Sequence, residues 1–593
     1  MRLPSSSPPW SNPKRSVGAV VQILSQTATN GNSVLGTLDA PRLPAYLTDG
    51  LLANRSPWAT RDSSSNYHTD YPVTGLTRSY DFTISRDFIS PDGYERDVLL
   101  INGAFPGPLI EANWGDVIQV TVHNNITGPE EGTALHWHGF FQQGTPWEDG
   151  VPSVHQCPIA PGQTYTYQFP AHIYGTTWYH GHYSAQYAGG LFGPLVVHGP
   201  AQAEYDVDLG PVMLTDWYHA EYYDLVGEVM SPEGFGVVFS DSNLINGKGT
   251  FNCSSLGPED GNPCENNAGI SQFRFRRGQT HRLRLMNTGS DAMQQFSIDG
   301  HRMTVIANDF VAVEPYETEV VTLGIGQRTD ILVVANGDAD AYWMRTSIPA
   351  ACGHTNNPDA VAAIFYDSAD ETQAPQSQPW DIPDSEACAN DDLTLTRPMV
   401  VMPLPEPDLT LNMDVALFRN ETNHTLWSFG GVSGRGNANS PTLVMADRGN
   451  LTFAQEWNVV NTGNASSVRI NVYNESPAAH PMHLHGFDMY VLHEGPGRWN
   501  GTIIRPENPQ RRDVNQVRAN GHLVIQFDAA SNPGLWPFHC HIAWHVSAGF
   551  FAQFLTNPDA VESMRMPGKV AETCRQWEAW TDANTPEQID SGL

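Results

Sequence analysis

The chain has 593 residues, of which 40% are hydrophobic and only 16% are charged, and its formal net charge at pH 7 is -33. A chain of this length is expected to form roughly two to four domains, and its many glycines and prolines indicate a turn-rich globular protein. The strong negative charge repels phosphate and argues against nucleic-acid binding, and no segment has the length and apolarity of a membrane span.

The N-terminal segment, residues 1–45, is predicted to be a leader, a pro-segment or a disordered tail. A short apolar run, Val17–Leu24, follows two basic residues as in a weak signal peptide, although the proline-rich start is poor for one. Asn-X-Ser/Thr sequons and the number of cysteines favour a secreted protein with disulfides. The sequons begin at Asn54, Asn125, Asn252, Asn420, Asn423, Asn450, Asn464, Asn474 and Asn500.

Alternation of apolar and polar residues dominates the rest of the chain and predicts β-strands. Clear runs lie at 118–122, 282–285 and 468–472, in separate thirds of the sequence. This repetition predicts three β-sandwich domains of related build. The expected domains are 46–202, 203–372 and 395–593, with a linker at 373–394 that begins in a stretch rich in Pro, Gln and Ser.

Four His-X-His pairs stand out along the chain. On a strand, alternate side chains share one face, so each pair presents two imidazoles to the same side. Imidazole suits copper, iron, nickel and zinc, and eight imidazoles are more than one ion can use, which predicts a cluster of several metal ions. The eight residues are His136, His138, His180, His182, His483, His485, His539 and His541.

Three further ligands remain near these pairs: His480, Cys540 and His545. Two imidazoles and one thiolate are the ingredients of a blue-copper electron-transfer site, and Phe550, five residues after His545, cannot coordinate. A structural zinc site would need a fourth N, S or O ligand, so zinc is the weaker interpretation. Isolated histidines are expected to be surface or satisfied core residues; these are His68, His155, His172, His219, His301, His354 and His493.

The motifs HWHG, WYHGH, HPMHLHG and HCHIAWH, in this order, resemble the four copper signatures of the multicopper oxidases, and over roughly residues 75–580 the chain is similar to the ascomycete laccases. The resemblance implies an all-β fold of three cupredoxin-like Greek-key domains and four copper ions. It assigns His480, Cys540 and His545 to a type 1 copper and His136 and His483 to a type 2 copper. It assigns a type 3 pair to His138, His180, His182, His485, His539 and His541.

The resemblance implies further features by position. Disulfides are expected between Cys157 and Cys574, Cys253 and Cys264, and Cys352 and Cys388. Asp149 matches an acid that assists proton delivery at the cluster, although an Asp before Gly also suits a turn. Candidate substrate-binding residues beside the type 1 site are Asp241, Asp224, His545 and Phe550. The final residues, 590–593, resemble a tail that enters the solvent channel toward the cluster.

These features predict a secreted, monomeric laccase. It would oxidise phenols and aromatic amines one electron at a time, with Cys540, His539 and His541 carrying the electrons, and would reduce dioxygen to water. The absence of a Met at position 550 favours a laccase over an ascorbate oxidase. Another multicopper oxidase, such as a ferroxidase or a bilirubin-type oxidase, is the alternative within the same fold. A copper-binding electron carrier is the alternative from a different class, and it would need only the Cys540 site.

Overall fold

The computed structural model describes residues 31–51, 56–234, 236–382, 387–586 and 588–593. In contrast to the prediction of a leader separate from the fold, residues 31–45 pack on the domains. Leu35 and Leu43 are buried, and the Leu43 amide donates to the Asp208 carbonyl oxygen at 3.0 Å. The predicted leader residues 1–30 and the sequon at Asn54 lie outside the described residues. Within the described residues, no helix is long and apolar enough to cross a membrane.

The first domain consists of two four-stranded sheets, ordered β2-β1-β4-β6 and β3-β8-β7-β5. In the predicted strand at 118–122 the apolar residues are buried and the polar ones half-buried, as alternation requires. The strands are β1 (Thr77–Ile89), β2 (Arg96–Ile101), β3 (Ile110–Asn113), β4 (Val117–Asn124), β5 (Leu135–Trp137), β6 (Thr164–Pro170), β7 (Gly175–Gly181) and β8 (Phe192–His198).

The second domain has eleven strands in sheets of six and five, and the helix α1 (Tyr222–Val229) follows its first strand. The strands are β9 (Val207–Trp217), β10 (Ser242–Ile245), β11 (Ser271–Phe275), β12 (Thr280–Asn287), β13 (Gln294–Ile298), β14 (Met303–Asn308), β15 (Val311–Thr318), β16 (Val321–Leu323), β17 (Arg328–Val334), β18 (Ala341–Ser347) and β19 (Asp359–Tyr366). Both faces of β12 are buried, and the charges of its two arginines are compensated by ion pairs, Arg282 with Asp330 and Arg284 with Asp208.

The third domain also has sheets of six and five strands. Its strands are β20 (Leu409–Arg419), β21 (Thr425–Phe429), β22 (Val459–Asn461), β23 (Ser467–Asn474), β24 (His480–Leu484), β25 (Met489–Pro496), β26 (Gln510–Arg512), β27 (Val514–Val517), β28 (Gly521–Asp528), β29 (Gly534–Cys540) and β30 (Phe551–Thr556). Its helices are α2 (Thr442–Asp447), α3 (Ala543–Ser547), α4 (Pro558–Glu562) and α5 (Gly568–Ala583).

The three domains share a pattern of parallel strand pairing. The first long strand of each pairs in parallel with a later strand of the same sheet, as β1 with β4, β9 with β12 and β20 with β23. The other sheet contains a parallel pair in each domain: β3 with β8, β11 with β19 and β22 with β30. The prediction of three related cupredoxin-like domains is confirmed. The predicted boundaries near 203 and at 373–394 fall in the strand-free intervals 199–206 and 367–408.

The covalent links agree with the predicted pairing. All three disulfides form as expected, and Cys540 is the one free and buried cysteine among the described residues. The asparagine of one sequon is held inside the fold. Asn474 is buried, and its Nδ2 donates to the carbonyl oxygens of Ala478 at 2.7 Å and Arg518 at 2.8 Å. The sequons with exposed asparagines are Asn125, Asn252, Asn423, Asn450, Asn464 and Asn500.

A buried ion-pair network joins the three domains. Arg328 of β17 donates to both carboxylate oxygens of Asp513, at 2.5 and 2.6 Å, and also to the Thr176 carbonyl oxygen in the first domain at 3.1 Å. Arg512 makes a second crossing to Asp309 at 2.9 Å. Removing one partner of such a pair leaves a buried, uncompensated charge, which costs about 3–5 kcal/mol. This network fixes the first and third domains against each other.

Candidate metal centre

The thiolate site lies within the third domain. His480 begins β24, Cys540 ends the antiparallel neighbour β29, and His545 lies on α3. The Cys540 Sγ is 3.7 Å from His480 Nδ1 and 3.5 Å from His545 Nδ1, and the two nitrogens are 3.2 Å apart. Ligand atoms about 2.0–2.3 Å from one ion lie about 3.3–3.7 Å from each other, so this triangle fits a single metal ion.

The surroundings of this triangle suit a metal–thiolate bond. Burial raises the pKa of the Cys540 thiol well above its ordinary value, so a thiolate here requires a bound cation. Burial lowers the pKa of His480 to about 3, which keeps this imidazole neutral and able to coordinate. Phe550 is fully buried, with its ring centroid 5.0 Å from that of His480. Its side chain offers no ligand atom, as the sequence predicted.

The eight paired histidines meet between the first and third domains. In the first domain, His136 of β5 lies opposite His180 of β7, and in the third, His483 of β24 lies opposite His539 of β29. The two strand pairs face each other across the interface. The ring centroids of His138 and His483 are 4.0 Å apart, and those of His136 and His485 are 4.2 Å apart.

Several ring nitrogens of the cluster are held by the protein, and several others have no hydrogen-bond partner among the described residues. The Nδ1 atoms of His136, His180 and His483 donate to the carbonyl oxygens of Asp149, Gly181 and Asp513 at 2.8–3.0 Å. This fixes the tautomer that leaves Nε2 free to coordinate. Within the cluster, the buried ring nitrogens without a hydrogen-bond partner among the described residues are His136 Nε2, His138 Nδ1, His180 Nε2, His483 Nε2 and both nitrogens of His541.

This donor set fits copper. Buried polar atoms normally have partners, so several unpaired imidazole nitrogens at one point indicate metal ions. The ligand atoms of His182, His485 and His539 lie within 4.8 Å of one another, which agrees with their expected place in the type 3 pair. The full division of the eight histidines between type 2 and type 3 positions stays a prediction.

One strand end serves both sites, as the alternation predicted. Cys540 points into the thiolate site, whereas its neighbours His539 and His541 contribute to the histidine cluster. The two sites are therefore joined by the few covalent bonds of adjacent residues. Any electron that enters at the thiolate has a bonded route to the cluster.

Asp149 lies beside the cluster and is fully buried. Its Oδ2 accepts from His485 Nδ1 at 2.8 Å, and its Oδ1 is 3.4 Å from His136 Nδ1. His155, which the sequence suggested was an ordinary histidine, lies in the same pocket, with its Nδ1 3.4 Å from Asp149 Oδ2. Its Nε2 donates to the Leu535 carbonyl oxygen at 2.7 Å, whereas its Nδ1 has no hydrogen-bond partner among the described residues. His155 is therefore a core residue next to the predicted proton-delivery acid, with one of its two ring nitrogens hydrogen-bonded.

A cavity of about 290 Å³ opens beside His545. It is lined among others by Asp291, Met293, His354, Leu417 and Trp427.

Neither predicted substrate carboxylate lines this cavity. Asp224 is exposed on the first turn of α1, and Asp241 accepts a hydrogen bond from the His219 amide at 2.8 Å. The carboxylate in the cavity is instead Asp291. Asp291 lies in the loop that follows β12. The residue before it, Ser290, accepts at its carbonyl oxygen from the amide of Ala543, close to His545, at 2.9 Å. This tertiary contact has no signal in the sequence, because residues 291 and 545 belong to different domains.

The C-terminal residues reach the cluster from outside. Leu593 is buried and borders a small cavity that is also lined by His180, His182, His539 and His541. The Ser591 amide donates to the Ser547 carbonyl oxygen at 2.8 Å, and Ser153 Oγ donates to the Gly592 carbonyl oxygen at 2.6 Å. The tail therefore lies where the resemblance placed it, and its effect on solvent access stays a prediction.

The comparisons with known proteins agree with this site. Multicopper oxidase family profiles match residues 83–202, 208–369 and 423–560. Laccase-2 of Botryotinia fuckeliana is 36% identical over 570 residues, which cover 93% of this chain and 96% of that protein. The crystal structure of a laccase from Botrytis aclada superposes with a TM-score of 0.83 at 35% identity, covering 92% of this chain and 100% of that chain. Fet3p, a multicopper oxidase that functions in iron import, gives a TM-score of 0.74 at 26% identity, over 87% and 98% of the two chains.

The chain belongs to the multicopper oxidase family.

Proposed function

We propose that the protein is a laccase that oxidises phenols and aromatic amines and reduces dioxygen to water. The observation that carries this function is the Cys540 strand end, which links a three-ligand thiolate site with an apolar Phe550 to a cluster of eight histidines. Copper bound at these two sites would supply single-electron acceptance at the first and four-electron reduction of dioxygen at the second.

The protein's own groups handle the protons. A phenol that gives up an electron also loses its hydroxyl proton, and Asp291 lies in the cavity next to His545, where that loss occurs. At the other site, Asp149 contacts two ligand imidazoles and can hold a proton beside the cluster. The proposed function thus assigns one carboxylate, Asp291, to electron entry and another, Asp149, to dioxygen reduction.

The cavity favours an aromatic reductant over ferrous iron. Iron(II) as a substrate would be held by several oxygen ligands, whereas the described lining contains one carboxylate, Asp291, among apolar side chains such as Met293, Leu417 and Trp427. Phe239 is 53% exposed and packs edge-on against His354, which adds an aromatic surface to this region. An apolar, partly aromatic cavity suits a phenol ring.

Secretion is also part of the proposal. Three disulfides persist in an oxidising compartment, and six of the sequons have exposed asparagines. The expected observation is a glycosylated protein in the culture medium whose Asn474 carries no glycan. A glycan found at Asn474 in the folded protein would contradict the buried position of its side chain.

Copper content and turnover test the function together. The copper-loaded protein should contain about four copper ions per chain and show both the blue thiolate absorption and a type 2 EPR signal. It should oxidise 2,6-dimethoxyphenol more efficiently than ferrous iron or ascorbate. About one copper per chain without oxidase turnover would instead establish an electron carrier, and a preference for ferrous iron would establish a ferroxidase.

A further inference from the structure

We infer that His354 makes the cavity beside His545 selective for phenols that carry a carboxylate on the ring, a substrate class that rests on the proposed laccase function. The sequence offered no reason to single out this histidine. The structure places it on the cavity wall, together with Asp291 and the metal-site residue His545.

His354 is held rigidly. Its backbone amide and its Nδ1 both donate to Asp291 Oδ2, at 2.6 and 3.0 Å. Its carbonyl oxygen accepts from the Ser240 amide at 2.9 Å, and the disulfide of Cys352 lies two residues before it. These contacts fix the direction of the imidazole, so that little side-chain freedom is lost when a ligand binds.

The ring has one nitrogen left for a ligand. Nδ1 is occupied by Asp291, and among the described residues Nε2 has no hydrogen-bond partner. The side chain is 39% exposed, so this nitrogen can be reached from the cavity mouth. The hydrogen bond to Asp291 raises the pKa of His354, which favours the imidazolium form and makes Nε2–H a donor.

The same contacts engage only one of the two carboxylate oxygens of Asp291. One of its oxygens, Oδ2, is held by His354, and no hydrogen bond between described residues engages the other, Oδ1. A phenol hydroxyl can therefore donate to Oδ1 while a ring carboxylate accepts from His354 Nε2. Without His354, the net charge of -33 and Asp291 itself would disfavour an anionic substrate. His354 is thus the group that allows a phenol with a ring carboxylate to bind in the cavity.

Syringate and methyl syringate form a matched pair of probes, because they differ only in the charge of the carboxyl group. In the wild-type copper-loaded protein, the ratio of kcat/KM for the acid to that for the ester is measured at low ionic strength. In His354→Gln this ratio should fall about fivefold, the size of a partly exposed ion pair, mainly through a higher KM for the acid. His354→Lys keeps a cation and should restore most of the ratio.

Binding without turnover gives an independent readout. 4-Methoxybenzoate has no phenolic hydroxyl, and its inhibition constant should rise about fivefold in His354→Gln. His123→Gln is the matched control, because His123 is another partly exposed histidine with a carboxylate partner, Asp81 at 3.1 Å, in the first domain. It should leave both readouts at wild-type values.

The outcomes separate the two proposals. An unchanged acid-to-ester ratio in His354→Gln, with phenol oxidation intact, would overturn the role of His354 and leave the laccase function standing. An equal loss for acid and ester that Lys does not restore would also overturn it, because it would mean that His354 only supports the cavity wall. A wild-type protein that oxidises neither phenol would overturn the laccase function itself.

Discussion

The two metal sites are built in different ways. The thiolate site takes all three ligands from the third domain, from two adjacent strands and the helix that follows one of them. The histidine cluster takes four residues from the first domain and four from the third, and the second domain supports it through Arg328. The first site therefore needs one folded domain, whereas the second needs the correct docking of domains.

This difference separates two chemical tasks. Electron entry requires a site near a substrate cavity, and the cavity at His545 includes residues of both the second and third domains. Dioxygen reduction requires a closed site with many neutral ligands, and the domain interface supplies one in which the inner imidazole nitrogens are buried. Residues 539–541 connect the two.

The largest effect is expected from Cys540→Ser, which removes the shared connection. The blue absorption should disappear and phenol turnover should fall about a thousandfold or more, because an essential electron acceptor is lost. The eight cluster histidines remain, so copper analysis should show about three ions per chain and a type 2 EPR signal. Loss of all copper would show that the two sites do not form independently.

Arg328→Met should disturb the histidine cluster more than the thiolate site, which is the reverse of the effect of Cys540→Ser. The change leaves the Asp513 carboxylate buried without its partner and should lower the free energy of unfolding by about 3–5 kcal/mol. The Asp513 carbonyl oxygen orients His483, so the type 2 EPR signal should weaken more than the blue absorption. Thermal unfolding and both spectra measure this.

Arg397→Met is the matched control for that variant. Its partner Glu314 is 3.5 Å away and both side chains are at least half exposed, so a loss of less than about 1 kcal/mol is expected. Equal weakening of the blue and type 2 signals in Arg328→Met would contradict the distinction between the sites.

Asp149→Asn should slow only the reduction of dioxygen at the histidine cluster. The amide cannot hold a proton for transfer, so reoxidation of the reduced enzyme by dioxygen should slow about 10- to 100-fold, as for other groups that contact metal ligands. Stopped-flow bleaching of the blue absorption by a phenol should keep its rate. The exposed Asp559→Asn serves as the control, and an unchanged reoxidation rate across the pH range would remove Asp149 from proton delivery.

Asp291→Asn should slow only electron entry from proton-releasing substrates, with the smallest effect of the four. Ferrocyanide gives up an electron without a proton, so the ratio of kcat/KM for a dimethoxyphenol to that for ferrocyanide should fall about tenfold. Asp241→Asn tests one of the two carboxylates that the resemblance suggested. A larger fall in this ratio for Asp241→Asn than for Asp291→Asn would reverse their roles.

The metal chemistry and the fold class could be predicted from the amino-acid sequence. Histidine pairs on strands can present their imidazoles only to one face, and a cysteine between two histidines on a strand must point to the other. The ligands His480, Cys540 and His545 were predictable from their residue types and spacing, whereas the three disulfide pairs were predictable only from the resemblance of the motifs. The alternating runs were sufficient to predict three related β domains.

The side chains that line the cavity beside His545 could not be predicted in this way, because they meet only when the domains pack together. Asp291 and His354 lie 63 positions apart, and both are far in sequence from His545, yet they line one cavity. Local sequence patterns carry no information about such contacts. Asp291 and His354 lie in loops that follow strands, and nothing in the neighbouring sequence distinguishes them from other loop residues. The burial of Asn474 and of the arginines on β12 was likewise invisible, since it depends on what packs against each strand. The spacing of the ligands within each motif is local and repeats in the chain, whereas the cavity is made by the docking of domains.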